Sequence, residues 1–168
     1  MKKIVIIGPE STGKSTLSKA LAQHFNAPYV TEFAREYLEK LNRAYNKQDI
    51  LNIAKAQVQL EDKISSKSDF LFLDTDLIVC KVWSEFKYGD CHPWILKQIE
   101  QRHYDHYLLC DIDLPWENDG MREHPQHRKE HFDIFMNELI KLKKPFSIVK
   151  GADRTKLSIN ILHSLFGS

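Results

Sequence analysis

An α/β fold with a mostly parallel sheet is the architecture the sequence predicts, and three observations predict it. Lys3–Ile7 is a short, β-branched apolar run of the kind that forms a buried strand. Gly8–Ser15 reads Gly-Pro-Glu-Ser-Thr-Gly-Lys-Ser and fits G-x-x-x-x-G-K-[ST] at every fixed position. Leu17, Ala20, Leu21, His24 and Phe25 then recur at helical spacing. Chance would produce the motif in roughly one chain of this length in two hundred. The strand–loop–helix context makes chance a poorer account still, and points to a P-loop NTPase fold with five strands flanked by helices.

The loop states its own chemistry. Gly8 and Gly13 permit dihedrals that a β-carbon would obstruct, so the main-chain N–H groups of Glu10, Ser11, Thr12 and Gly13 can turn inward around a phosphate. The helix that starts near Lys14 adds its positive end, with Ser15 and Thr16 in its first turn. Lys14 is expected to reach the β- and γ-phosphates of ATP, and the Ser15 hydroxyl to ligate Mg2+. The alternative, a plain glycine turn with an exposed lysine, ignores the agreement of spacing and flanks.

Composition narrows the class of protein. The chain has 168 residues, enough for one domain with a sizeable core, and a single domain over 1–168 is expected. A net charge of +1 gives no broad nucleic-acid face, and no apolar run approaches a membrane span. Cys80, Cys91 and Cys110 are odd in number and widely spaced, which suits reduced thiols. With the first strand beginning at once, no signal peptide is expected and the cytoplasm is the expected compartment. Oligomeric state is not legible.

Beyond the first helix, Tyr29-Val30 suggests a short second strand. Thr31 is expected to cap a helix, with Glu32, Arg35 and Glu36 along one flank. In a parallel sheet Glu32 falls at a strand's carboxyl end, on the ligand side. A solvated ion pair is the competing reading. A long helix is predicted from about Lys47 to Ser65, with Ile50, Ile53, Gln57, Leu60 and Ile64 as its inner stripe. Asn46-Lys47-Gln48-Asp49 matches the guanine-reading string of GTPases, but its place before a helix makes Asn46 a cap. Phe70–Leu73 then runs into Asp74-Thr75-Asp76, as a buried strand delivers acid to the active edge. Asp74, first off the strand, is the expected magnesium carboxylate. Asp76 is either a substrate contact or the cap of the next helix.

His92-Pro93 opens a further helix, Tyr104–Cys110 reads as the fourth strand and Pro145–Val149 as the fifth. Between them, residues 111–128 form a polar, turn-rich stretch of the kind that serves as a lid. Arg122, with Arg128 as the other candidate, is expected to close on the transferred phosphate. His124, His127 and His131 are read as solvated histidines of a helix from about Gln126 to Leu142. Asp153 is expected to cap the last helix, after a loop where adenine would rest.

Four segments together resemble the ribosylnicotinamide kinase domain of the bacterial NAD-biosynthesis regulator family. They are Gly8–Ser15, Glu-Phe-Ala-Arg-Glu-Tyr at 32–37, Leu-Asp-Thr-Asp at 73–76, and Pro-Trp-Glu-Asn-Asp-Gly-Met-Arg at 115–122. The resemblance spans essentially the whole chain. It implies a nucleoside-kinase-like fold with a lid, and transfer of the ATP γ-phosphate to the ribose 5′-hydroxyl of nicotinamide riboside. By position, Lys14, Glu32, Asp74 and Arg122 would be catalytic, with Glu32 taking the hydroxyl proton. Arg154 would join the loop residues in holding ATP. Glu32, Arg35 and Asp76 would face the nucleoside. Thr31 and Asp62 stand where the family places an aromatic clamp, so Tyr29, Phe33 or Trp116 would supply a face for the cationic ring. Two other readings stay open: an ATP-dependent switch with a protein partner, and a kinase for another nucleoside.

Overall fold

The computed structural model describes residues 1–113 and 127–167. Five strands form one sheet in the order β2-β3-β1-β4-β5. They are β1 (Lys2–Ile7), β2 (Tyr29–Val30), β3 (Phe70–Asp74), β4 (His106–Cys110) and β5 (Phe146–Val149). Every pairing is parallel, so the sheet is wholly rather than mostly so. The described helices are α1 (Lys14–His24), α2 (Phe33–Lys40), α3 (Lys47–Asp62), α4 (Leu77–Tyr88), α5 (Pro93–Gln101), α6 (Arg128–Lys141) and α7 (Arg154–Phe166). Among the described residues no helix is long and apolar enough to cross a membrane.

Alternation along the central strands builds two cores. Val5, Ile7, Leu71, Leu73, Tyr107 and Leu109 face one layer, in which α3, α4, α5 and α6 supply Ile50, Ile53, Ile78, Ile95 and Phe135. Ile4, Ile6, Phe70, Phe72 and Leu108 face the other, against Leu17, Leu21 and Leu162 of α1 and α7. Strands covered on both faces read as unbroken apolar runs, which is why β1 and β3 were plain in the sequence. Chain order reverses across β1: β3 lies on one side and β4 on the other. The crevice beyond their carboxyl ends is the switch point where such sheets bind ligands.

Local chemistry sets the helix starts. Asn46 and Asp49 form a capping box at α3, each side chain accepting from the other's main-chain N–H. Asp153 caps α7 by accepting from the Lys156 N–H. Several boundaries differ from expectation. The N-cap of α2 is Glu32, not Thr31, whose carbonyl is tied to Gln57 instead. The predicted third helix stops at Asp62, and the fourth and fifth strands begin at His106 and Phe146. The sixth helix begins at Arg128. His131 is buried at its inner face, edge-on to Phe86 at 4.4 Å. The reading of it as solvated overlooked that it shares the stripe of Phe135 and Leu139 at i+4 and i+8.

Asp49 makes a further prediction. Besides the capping box it accepts from Tyr37 Oη (2.7 Å) and from Arg43 through two bonds. Hydrogen bonding to Arg43 above all holds its carboxyl well below the ordinary 3.8. A lowered carboxylate contributes stability above the unfolded value and loses it as pH falls through that value and below. Asp49→Ala is expected to cost about 2 kcal/mol at pH 7. That deficit shrinks below about pH 4, as urea melts across pH will show.

Candidate active site

The loop between β1 and α1 sits in the crevice. Gly8 has φ of +152°, and a Cβ there would stand 2.8 Å from the Cys110 main-chain oxygen at the end of β4. The loop is thus pressed against the neighbouring strand, with no room for a side chain. Thr12, fully buried, donates its hydroxyl to the Pro9 carbonyl at 2.7 Å, and Ser11 takes positive φ. Gly13 is the left-handed N-cap of α1. Gly8→Ala is expected to displace the loop at a cost of about 1–3 kcal/mol. It should also weaken nucleotide binding, both readable by thermal melting with and without ATP.

Arg154 shows a role that spacing does not reveal. Its buried guanidinium donates to the main-chain oxygens of Thr12 (3.1 Å) and Asp111 (3.0 Å), and pairs with Asp113. Asp113 also accepts from the Gly151 N–H at 2.7 Å. Arg154 therefore fastens the underside of the phosphate loop to the ends of β4 and β5. These bonds give Arg154 a structural role at the phosphate loop that the expected nucleotide contact did not include.

Lys14 Nζ donates to the Pro9 carbonyl at 2.8 Å, and the Ser15 hydroxyl donates to Asp74 Oδ2 at 2.6 Å. The first turn of α1 and the end of β3 meet at that bond. Asp74 is 3% exposed, and its Oδ1 is buried with no hydrogen-bond partner among the described residues. Burial pushes its carboxyl up, and Ser15, Lys14 and Arg35 pull it back. Burial likewise raises Glu32; Lys14 and Arg35 oppose the rise, while Asp74 and Glu10 add to it. Two acids, Glu32 and Asp74, thus share a site with two cations, Lys14 and Arg35. The donor set suits a hard divalent cation: one hydroxyl oxygen, and one buried carboxylate oxygen with no partner.

Thr75 follows with φ of +73° and 4% exposure. Left-handed backbone in a β-branched residue stores roughly 1–3 kcal/mol. The twist separates its neighbours: Asp74 meets Ser15, whereas Asp76 turns into α4. There Asp76 Oδ1 accepts from the Ile78 N–H (3.0 Å) and Oδ2 from Tyr107 Oη (2.7 Å). Burial pushes Asp76 up to about 6. Capping is its work, and the substrate contact expected of it is withdrawn, since both oxygens are satisfied inside the fold.

The remaining expected residues divide as follows. Arg35 acts on both acids through its charge. Arg128, at the start of α6, donates to the Ser11 carbonyl at 3.3 Å, which brings it to the loop. Thr16 is exposed in the first turn of α1. Tyr29 does not join the site: Val30 points into the α3–α4 core, so Tyr29 stands on the opposite face of an edge strand, 36% exposed. Phe33 opens α2 beside Glu32, its ring 6.1 Å from that of Tyr37. Asp62 ends α3 and pairs with Arg102, which precedes β4, at the opposite end of the strands from the crevice. Trp116 and Arg122, and most of the 111–128 stretch, lie outside the described residues. Gln57, read as a member of an apolar stripe, was missed. A lone amide in such a stripe was the available signal.

The sequence profile of the AAA domain family matches residues 3–155. The chain belongs to the AAA domain family. Among curated relatives, this AAA domain is 27% identical over 161 residues to the trifunctional NAD biosynthesis/regulator protein NadR of Salmonella typhimurium LT2. The match covers 91% of this chain and 39% of that protein. Among solved structures, NadR in complex with NR aligns with a TM-score of 0.86 at 26% identity, covering 99% of this chain and 52% of the other. NadR with NAD and AMP-PNP aligns at 0.80, covering 99% of this chain and 50% of that one. The chain therefore spans about half or less of these relatives. Thymidylate kinase from Ehrlichia chaffeensis shares the fold, at a TM-score of 0.70 and 15% identity over 98% of each chain. This AAA domain is a nucleotide-binding P-loop domain with the architecture of nucleoside and nucleotide kinases.

Proposed function

We propose that this AAA domain transfers the γ-phosphate of ATP to the ribose 5′-hydroxyl of nicotinamide riboside, giving nicotinamide mononucleotide. The observation that carries the reading is the 2.6 Å bond from Ser15 to Asp74, with Glu32 and Lys14 in the same field. A nucleotide-binding switch needs the first two residues. An acid pushed up at the end of a second strand is what proton removal from an alcohol needs. NadR solved with NR, at 26% identity over nearly the whole chain, supports the choice of acceptor. Phe33 beside Glu32 is an aromatic group at hand for a cationic ring.

In the reaction, the main-chain amides of residues 10–13 and Lys14 would hold the phosphates and offset their charge. Ser15 and Asp74 would hold magnesium, which would supply charge neutralisation for the phosphates. Glu32 would accept the proton of the acceptor hydroxyl. Lys14 and Arg35 would oppose the upward shift that burial gives Glu32. Arg128 or Arg122 would stabilise the transferred group from the lid side.

A panel of nucleosides with ATP and magnesium tests the reading. Nicotinamide riboside is expected to be the best acceptor. Phosphorylation of a different nucleoside alone would move the substrate and keep the reaction. ATP hydrolysis with no acceptor phosphorylated would favour a switch with a protein partner.

A further inference from the structure

The helix that Glu32 opens rests on the core through the half-buried Ala34, Tyr37 and Leu38. α2 is eight residues long, and none of them is fully buried. Glu32 is its N-cap residue, yet the carboxylate makes no capping hydrogen bond. At most helix starts the cap side chain satisfies the exposed main-chain N–H groups. Here another helix does part of that work. Gln57, 5% exposed on α3, accepts from the Phe33 N–H through Oε1 at 2.8 Å. Its Nε2 donates to the Thr31 carbonyl at 3.1 Å. The two bonds bracket Glu32, one on each side along the chain. A carboxamide suits the task because it presents an acceptor and a donor in one plane, where a carboxylate or an ammonium presents only one kind.

We infer that Gln57 is a positioning residue for the acceptor-side carboxylate: it caps α2 in place of Glu32 and so leaves Glu32 facing Lys14, Asp74 and Arg35. The inference rests on the reading of Glu32 as the group that takes the acceptor proton. A cap residue whose carboxylate turned back on its own helix would be withdrawn from those charges. Gln57 removes the reason for it to turn back, and fixes the main chain on both sides.

The test is steady-state kinetics with ATP and nicotinamide riboside on Gln57→Met, Glu32→Gln and the double variant. Gln57→Met keeps the length and loses both bonds. It is expected to lower kcat about tenfold to a hundredfold with KM for ATP unchanged. Glu32→Gln is expected to lower kcat about 10²–10⁴-fold. The double variant is expected to be no slower than Glu32→Gln, because Gln57 acts through that group. Multiplying losses, or a wild-type kcat in Gln57→Met, overturn the inference and leave the role of Glu32 standing. A wild-type rate in Glu32→Gln removes the reading beneath it, and the inference with it. If Gln57→Met fails to fold, Gln57→Glu keeps the acceptor for the Phe33 N–H and places a second carboxylate beside Glu32. It loses the donor to the Thr31 carbonyl, so kcat is again expected to fall about tenfold with KM for ATP unchanged. A wild-type kcat in Gln57→Glu overturns the inference.

Discussion

Lys14→Ala is expected to lower kcat/KM for ATP by about 10³-fold while leaving the melting temperature within a few degrees of wild type. The two halves of that expectation have different sources. Stability changes little because Lys14 is only partly buried, and its ammonium bonds the Pro9 carbonyl at 2.8 Å. Activity changes greatly because the ammonium sits at the phosphate loop, and because its charge acts on both Glu32 and Asp74. Removing it subtracts an attraction for phosphate and one of the two cations that hold those acids down. Both carboxyls then rise further, and the acidic limb of the pH–rate profile moves up. Lys14→Arg should not restore the rate, since a planar fork cannot replace a point charge in so tight a loop. Turnover near wild type in Lys14→Ala would mean that the phosphates lie elsewhere.

The parts of this site that are legible in the sequence are those decided locally. Gly8–Ser15 declares its loop because the spacing of two glycines, a lysine and a hydroxyl is itself the geometry. Asn46, Asp153 and the capping side of Asp76 follow from residues two or three positions on. Asp74 was placed because a buried strand must end at the crevice. What the sequence did not disclose depends on contacts between distant segments. Gln57 brackets Glu32 from 25 positions away, and nothing local distinguishes it from a tolerated polar residue on a buried stripe. Arg154 reaches Thr12 across 142 positions. The resemblance gave it only as an ATP contact, and its bond to a carbonyl beneath the loop depends on the fold. Tyr29 failed for a period-two reason: on an edge strand, one face of each residue pair is lost to solvent. That Asp62 ends α3 on a pair with Arg102, ahead of β4 and away from the crevice, is likewise a contact between distant segments.

Asp74→Asn should separate the two demands made on the end of β3. Its carboxylate is nearly inaccessible, one oxygen takes the Ser15 hydroxyl, and the other is buried without a partner. Such a group is costly in the folded protein and useful only when a cation completes it. Burial raises its carboxyl above the ordinary 3.8. In metal-free buffer a raised acid loses stability as pH climbs from that value through the folded one. The asparagine variant has no such loss and can still accept from Ser15. It is therefore expected to melt at or above wild type at pH 7 without metal, with the gap closing towards pH 4. Added magnesium and ATP should reverse the order, stabilising wild type far more than the variant, because only wild type supplies a charged oxygen. Phosphoryl transfer in the variant is expected to fall about 10³-fold. A variant that melts lower than wild type without metal would show Asp74 to be a structural acid. One that keeps its magnesium response would move the cation to Glu32, the neighbouring carboxylate in the same field.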